Sequence, residues 1–504
     1  MNQNIYAHFL FEQYADKPLI HLQDGSVFTY EMINHRVAQF CHFFKSIGLN
    51  ANQRIAVQTE KCIDAFCVYL ASLRYGTIYI PLNPAFQRDE LAYFIEDAEP
   101  TLFVCSPENE SQIQDIVQHT NLTLSIETLS ENNMGSIQLK ANAFDINFAT
   151  AIKSGNDIAC ILYTSGTTGK PKGAMLSHKN LRSNGLALIH AWQFKDTDTL
   201  LHMLPIFHCH GLFFACHCVL LSGADMFFLP KLDIDLALDF MPKSTVLMGV
   251  PTYYTRLLAD ARFTQSVTVN MRLFISGSAP LLEKTFYEFE SRTGQSILER
   301  YGMTETGINT SNPLLKDRIP GSVGLSLENQ TIRIVNVDNI ELQHGEIGNI
   351  QVKGDNVFLG YWNKQDKTDE SFTVDGYFKT GDIGFINKDN NYIYIIGRAN
   401  DMIITGGLNV YPKEIESVID KIDGVKESAV IGLPHADFGE AVTAVIVKNA
   451  DVDLDKNSII NHVKSSLANY KVPKEIIYCD NLPRNTMGKV QKNYLQKVYV
   501  DFYN

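Results

Sequence analysis

Up to about residue 390 the chain alternates two kinds of hydrophobic pattern. Compact runs of β-branched and aromatic residues, such as Arg54-Ile-Ala-Val57, Thr77-Ile-Tyr-Ile-Pro81 and Thr101-Leu-Phe-Val-Cys105, read as buried strands. Between them lie segments with apolar positions at 3.6-residue spacing, for instance Cys62 to Leu73, which read as helices. Strands alternating with helices predict stacked α/β layers. The stretch from Ser106 to Asn156 is polar and poorly patterned, and is expected to form variable surface. After Ile393-Tyr-Ile-Ile-Gly-Arg398 the texture changes. A smaller unit follows, with strands at Ser428-Ala-Val-Ile431 and Thr443-Ala-Val-Ile-Val447 and helices near Pro412 to Ile422 and Asn457 to Ala468. Such a segment is long enough to fold as a separate α+β domain. The expected layout is a large α/β domain over residues 1–397, a hinge at 398–401 and a small domain over 402–504.

Composition narrows the function classes. With 504 residues, 45% hydrophobic and 20% charged, the chain has the balance of an ordinary water-facing protein of two or more packed domains. No apolar run reaches the length of a membrane span. The N-terminal segment has no basic residue before an apolar core, so no targeting segment is expected. The net charge of −13 disfavours nucleic acid as a partner and requires any anionic substrate to be held by a local cationic pocket. Nine cysteines, an odd number, fit reduced thiols in the cytosol better than a disulfide framework. His208-Cys209-His210 and Cys216-His217-Cys218 crowd six potential ligands together, but their spacing matches no zinc pattern and the intervening residues are apolar. Packing or substrate contact is the expected use.

The densest chemistry lies at Thr164-Ser-Gly-Thr-Thr-Gly-Lys-Pro-Lys-Gly173, directly after the apolar run Ile158-Ala-Cys-Ile-Leu-Tyr163. Gly166, Gly169 and Gly173 permit positive φ and close backbone approach, so backbone N–H groups, the hydroxyls of Thr164, Ser165, Thr167 and Thr168, and the ammonium groups of Lys170 and Lys172 can converge on a polyphosphate. This is not the common nucleotide-triphosphatase loop. The first glycine of that motif would fall at position 164, which is Thr, and its Ser or Thr would fall at Pro171.

The loop resembles instead the phosphate loop of the adenylate-forming family: acyl-CoA synthetases, firefly-type luciferases and peptide-synthetase adenylation domains. The resemblance continues, in order, through Leu204-Pro-Ile-Phe-His-Cys-His-Gly211, Phe274-Ile-Ser-Gly-Ser-Ala-Pro280, Glu299-Arg-Tyr-Gly-Met-Thr-Glu305, Tyr377-Phe-Lys-Thr-Gly-Asp382, Gly397-Arg398 and Pro483-Arg-Asn-Thr-Met-Gly-Lys489. It implies a multi-subdomain N-terminal α/β domain, a mobile C-terminal domain, and the use of ATP, Mg2+ and coenzyme A. In the roles it implies, Glu305 and Thr167 hold Mg2+, with Thr304 nearby. Tyr301 stacks on adenine within Tyr301-Gly302-Met303, Asp382 accepts the ribose hydroxyls and Arg398 contacts ribose or phosphate. Lys489 lies over the α-phosphate and the substrate carboxylate, a use suited to a point charge on a flexible stem. Gly406 and Gly407 border the path of the thiol. The pivot position, usually Asp or Lys in the family, is Asn400, which tolerates unusual dihedrals but lacks the charge.

Within the family the residues Leu204 to Phe213, Leu247 to Leu258 and Arg272 to Leu282 are most similar to the malonyl-CoA synthetase group. Arg256, following Val250-Pro-Thr252 in an otherwise apolar run, suits a clamp on the far carboxylate of a dicarboxylic acid. Ser276, Ser278 and His208 are candidates for further hydrogen bonds to the acid. The alternatives are a medium-chain or aryl acyl-CoA synthetase, or an idle copy of the fold used for binding. Retention of Lys489, Glu305 and Asp382 together argues against an idle copy.

Overall fold

A computed structural model describes residues 2–164, 170–450, 452, 454–485 and 488–503. Four sheets organise the chain. The largest has nine strands in the order Leu325–Ser326, Gly307–Ser311, Leu298–Met303, Leu273–Ser276, Val246–Gly249, Thr199–His202, Asp225–Phe228, Pro18–His21 and Val27–Thr29. Its middle strands are parallel and only its edges are antiparallel. Near-continuous apolar runs are what such doubly covered parallel strands require. The second sheet has six strands, ordered Ser125–Thr128, Leu102–Cys105, Arg54–Gln58, Ile78–Pro81, Ile158–Thr164 and Lys172–Ser177. Only its last pair is antiparallel.

The helix Ile63–Tyr75 is packed between layers and buried on every side, including Asp64, whose carboxylate takes two bonds from Arg36 at 2.7 and 2.8 Å. Gly76, at φ 89°, ends it in the left-handed conformation that a side chain resists. The third sheet is an antiparallel meander of Gln330–Val335, Gly348–Gly354, Phe378–Ile386 and Ile393–Arg398. A single turn of 3-10 helix at Ala399–Asp401 follows, and Ile403 begins the fourth sheet, built from Ile403–Thr405, Leu408–Val410, Val425–His435, Gly439–Lys448 and Glu475–Cys479. The helices Pro412–Ile419 and Lys456–Ser466 cover one face of that sheet. The mixed α/β architecture is the one the pattern predicts.

The stretch from Ser106 to Asn156 is more regular than its polarity suggests. It contains the helix Glu110–Gln118, the strand Ser125–Thr128 and the helix Ser136–Ala141. The first buries only Ile113 and Ile116, three residues apart, while the strand pairs in parallel with Leu102–Cys105. Two anchor positions per helix are too few to stand out in the sequence, yet enough once a sheet edge is there to receive them.

Helix Glu283–Thr293 locks the part of the large sheet that later bears the site. Its Phe289 is fully buried against Tyr254, Phe263 and Phe274, with ring centroids 5.5, 5.6 and 4.8 Å away. These rings join the helix to the strand Leu273–Ser276 and to the helix Pro251–Leu258. Phe289→Ala is expected to cost about 3–5 kcal/mol through lost transfer energy and the cavity left behind. Urea melting checks this, and a loss under about 1 kcal/mol would show that the cluster closes over the gap.

Candidate active site

Four neighbouring parallel strands end on the same side of the large sheet, at His202, Gly249, Ser276 and Met303. In open α/β sheets ligands bind beyond the carboxyl ends of the strands. The segments that follow these four strands carry His208 and His210, Val250 to Arg256, Gly277 and Ser278, and Thr304 and Glu305. The sequence motifs singled out separately therefore converge because their strands are adjacent.

At the centre of this rim lies Arg300, which the sequence reading quoted but gave no role. It is 5% exposed, and Nε and Nη2 have no hydrogen-bond partner among the described residues. Loss of water holds its guanidinium below the ordinary value, to about 10. Room for it exists because position 277 is glycine: a Cβ there would stand 2.5 Å from the guanidinium carbon. Two other buried polar atoms on the same rim are also unpartnered, Ser276 Oγ and His210 Nε2. Ser278 adopts φ 70°, unusual for a residue with a side chain, and its hydroxyl lies 3.2 Å from His210 Nδ1. His208 is held below its ordinary value, to about 4, by lost hydration and then by Arg300. His210 is lowered for the same two reasons in the same order. Both imidazoles are neutral near pH 7, so the pocket's cation is Arg300. Buried donors without partners are rare in folded proteins. A two-pronged guanidinium flanked by a hydroxyl and neutral imidazoles suits a carboxylate.

Arg256 is placed differently from its expectation. It lies exposed near the end of the helix Pro251–Leu258, where water competes with the carboxylate clamp expected of it. Its place after Val250-Pro-Thr252 in an otherwise apolar run signalled a cation near the pocket. The fully buried cation came from a strand, where Arg300 alternates with Glu299 and Tyr301 across the sheet.

A second cluster lies where the third sheet meets the same rim. Tyr301 donates its hydroxyl to Asp382 Oδ2 at 2.5 Å, and Arg398 Nε approaches Asp382 Oδ1 at 3.1 Å. Asp382 and Arg398 are direct cross-strand partners on Phe378–Ile386 and Ile393–Arg398. Burial, then the Asp382 charge, pushes the Tyr301 phenol far up, so it stays a donor. Gly302 is required by the tight hairpin to Gly307–Ser311, since a Cβ would stand 2.1 Å from the carbonyl oxygen of Gly307. Met303 accepts the N–H of Thr306 in that turn, and Thr304 Oγ1 lies 4.0 Å from Cys209 Sγ. Glu305, 6% exposed, accepts the Tyr361 hydroxyl at 3.0 Å through Oε1.

Tyr361 links the cluster to the glycine-rich loop and had no signal in the sequence. Its ring lies 4.2 Å from Lys172 Nζ, and it forms a bridge with Ala174. Thr164 and Lys172 pair across the antiparallel hairpin that starts and ends the loop. Lys170 is exposed, with Nζ 5.0 Å from the Tyr93 ring. Ser165, Gly166, Thr167, Thr168 and Gly169 lie outside the described residues.

The small domain meets this rim through the loop ending in Lys489. A Cβ on Gly488 would stand 3.3 Å from Thr252 Oγ1, which puts the loop against the segment after Gly249. Lys489 is exposed by surface area but near enough to Arg398 and Asp382 for their charges to act on it. Its ammonium is lowered from the ordinary value, first by lost hydration and then by Arg398. Lys421 and Glu283 pair across the domains at 3.2 Å, beside a cavity of about 750 Å³ lined by Tyr287, Phe385 and Tyr394 on one side and Tyr411 and Lys413 on the other. Gly406 and Gly407 form an exposed turn at φ 56° and 79° with nothing within 4 Å of an added Cβ. Asn400 is exposed in the turn Ala399–Asp401.

The crowded histidines and cysteines separate in space. His217 Nε2 lies 2.6 Å from the Tyr69 hydroxyl, Cys216 Sγ lies 3.5 Å from His202 Nε2, and Cys218 is buried in the apolar core. Among the described residues no group of three or more His, Cys, Asp or Glu is arranged around a metal position. Magnesium at a nucleotide site needs no such cage, since phosphate oxygens and water supply most of its ligands. Glu305, linked through Tyr361 to the hairpin of the glycine-rich loop, offers a carboxylate whose chemistry fits such an ion.

Residues 10–362 match the AMP-binding enzyme family, and residues 414–489 match the C-terminal domain of AMP-binding enzymes. The chain is 33% identical to a malonate–CoA ligase of Arabidopsis thaliana over 485 residues, covering 90% of this chain and 79% of that protein. It is 34% identical to the mitochondrial malonate–CoA ligase ACSF3 of Mus musculus, covering 90% and 82%. Among solved structures, MatB of Rhodopseudomonas palustris is 48% identical with full coverage of both chains. The TM-score is 0.97 to its ATP-bound form and 0.86 to its apo form. No described helix is long and apolar enough to cross a membrane. The chain belongs to the AMP-binding enzyme family, whose sequence motifs it carries from the glycine-rich loop to Lys489.

Proposed function

We propose that this chain is an ATP-dependent, AMP-forming malonate–CoA ligase, and the observation that carries the choice of acid is the buried, unpartnered guanidinium of Arg300. A monocarboxylic acid leaves that charge without a counter-ion in a water-poor pocket. A dicarboxylic acid supplies one. Arg300 takes the distal carboxylate bidentately, Ser276 and His210 complete its hydrogen bonds, His208 borders the chain of the acid, and exposed Arg256 adds positive potential at the mouth.

The proximal carboxylate of malonate then attacks the α-phosphate of ATP, and pyrophosphate leaves. Bringing two anions together demands charge neutralisation and alignment more than covalent participation. Thr164 to Gly173 cradle the leaving phosphates, with Lys170 and Lys172 at the end of the loop. Tyr301, Asp382 and Arg398 seat the adenosine: the Asp382 carboxylate, 4% exposed and pinned from both sides, is fixed to receive the ribose hydroxyls. Glu305 and Thr167 would hold Mg2+, which would supply charge neutralisation when bound. The Lys489 ammonium sits at the α-phosphate. After pyrophosphate leaves, the small domain turns about Ala399–Asp401, with Asn400 as pivot, and Lys489 withdraws. The Gly406–Gly407 turn borders the path of the coenzyme A thiol, whose sulfur attacks the acyl carbon and releases AMP. Nine free thiols among the described residues suit a reducing compartment, and we place the protein in the cytosol.

Lys489→Ala is expected to lower malonate-dependent pyrophosphate release by two or more orders of magnitude, about 2.7 kcal/mol, with ATP affinity little changed. Thioester formation from pre-made malonyl-adenylate survives. Near-normal adenylation in this variant removes Lys489 from the mechanism.

Arg300→Met is expected to cost malonate adenylation about 3–5 kcal/mol, because the distal carboxylate is then buried unpaired. Melting temperature holds or rises, since an uncompensated buried charge has been removed. Activity toward butyrate is preserved or increased. A parallel loss for malonate and butyrate, or a wild-type preference for a monocarboxylate, overturns the choice of malonate.

A further inference from the structure

Lys489 ends a loop of proline, asparagine and glycine, a composition that by itself fixes no ammonium in space. The fold closes this loop into a narrow hairpin. Asn485 N donates to Lys489 O at 2.9 Å, Lys489 N donates to Asn485 Oδ1 at 2.9 Å, and Gly488 N donates to Asn485 O at 2.9 Å. Below the turn, Gln491 N donates to Pro483 O at 2.8 Å. These bonds lie within the loop and shape it.

Arg484 ties the loop to the body of the small domain. Its Nη1 donates to the carbonyl of Gly488, the residue before Lys489, at 2.5 Å, and its Nη2 pairs with Glu427 on the strand Val425–His435. The side chains are 29% and 19% exposed. On the far side of Lys489, Lys492 pairs with Glu416 at 2.6 Å, and Glu416 also accepts Val430 N at 2.9 Å. That second pair seats the terminal helix Lys492–Val498. Arg484 reaches the turn itself, through the Gly488 carbonyl.

We propose that the Arg484–Glu427 pair positions Lys489 for the adenylation half-reaction. One prong of a rigid guanidinium holds the backbone from which the lysine springs, and the other is fixed to the central hairpin of the fourth sheet. A lysine at 484 has a single point charge and cannot make both contacts in this geometry. A partly exposed ion pair contributes little to stability, so its value lies in placement. Both partners belong to the small domain and travel with it. When that domain has turned and Lys489 is withdrawn, the placement has no further use. This inference rests on the adenylation role proposed for Lys489.

The test uses the full chain with Glu427→Gln and Arg484→Lys. Malonate-dependent ATP–pyrophosphate exchange reads the first half-reaction, and thioester formation from pre-made malonyl-adenylate and coenzyme A reads the second. Glu427→Gln is expected to lower kcat of the exchange on the order of tenfold to a hundredfold, the scale of a small misplacement of a catalytic group, with KM for ATP and malonate unchanged. The second half-reaction and the melting temperature stay at wild-type values. Arg484→Lys also slows the exchange alone, and wild-type activity in that variant overturns the two-pronged anchoring. Equal losses in both half-reactions assign the pair a merely structural role and overturn the proposal. Lys489→Ala is measured alongside. If it leaves the exchange intact, the role of Lys489 itself has failed. If it abolishes the exchange while Glu427→Gln does not slow it, only the positioning role falls.

Discussion

A guanidinium kept out of water without a counter-ion sets the character of this site. The Arg300 charge is disfavoured by burial, and it raises the cost of any further positive charge nearby. His208 and His210 are both held neutral, with Arg300 as the second cause after lost hydration. The pocket at the strand ends thus offers one fixed cation amid neutral donors. The surrounding structure makes this tolerable by packing alone: Gly277 leaves the space, Phe214 lies 5.6 Å from the guanidinium carbon, and the Tyr254–Phe289 cluster stiffens the strand beneath. An uncompensated charge of this kind is retained where a ligand supplies the missing partner.

The end of the rim at Asp382 and Glu305, proposed to seat the nucleotide, uses the opposite device. There the charges are already paired, Asp382 with Arg398 and Tyr301, and Glu305 with the Tyr361 hydroxyl. Prior pairing fixes the carboxylates in orientation before a ligand arrives, which lowers the entropy that binding must overcome. One end is poised by charge and the other by geometry. The distance between them is bridged by strands whose spacing is fixed by backbone hydrogen bonds.

The small domain is held to this rim lightly. Its contacts include one exposed ion pair, Lys421 with Glu283, the approach of Gly488 to Thr252, and walls that enclose a cavity of about 750 Å³. Domains within one chain move relative to each other by default unless a large hydrophobic interface joins them. The connection through Ala399–Asp401 is a single turn. The proposed reaction, in which Lys489 first approaches and then withdraws, needs an interface that lets the small domain turn. A continuous apolar seam would fix one orientation.

The sequence by itself determined the layered architecture, because buried parallel strands need unbroken apolar runs and helices between them need 3.6-residue spacing, both visible in single segments. It also singled out Glu305, Asp382, Arg398 and Lys489 as candidates, because their residue types are meaningful within short motifs. It missed what depends on juxtaposition. Arg300 was legible only as the middle of a motif, since its burial follows from the neighbouring strand placing Gly277 beside it. Tyr361, more than fifty positions from Glu305, carried no local pattern at all. Arg256 had the right charge near the right segment, but which face of a short helix meets water is settled by what packs against it. Helices and strands are local periodicities and can be read along the chain. Burial of a charge, and the absence of its partner, are properties of three-dimensional neighbours, and only the tertiary structure decided them.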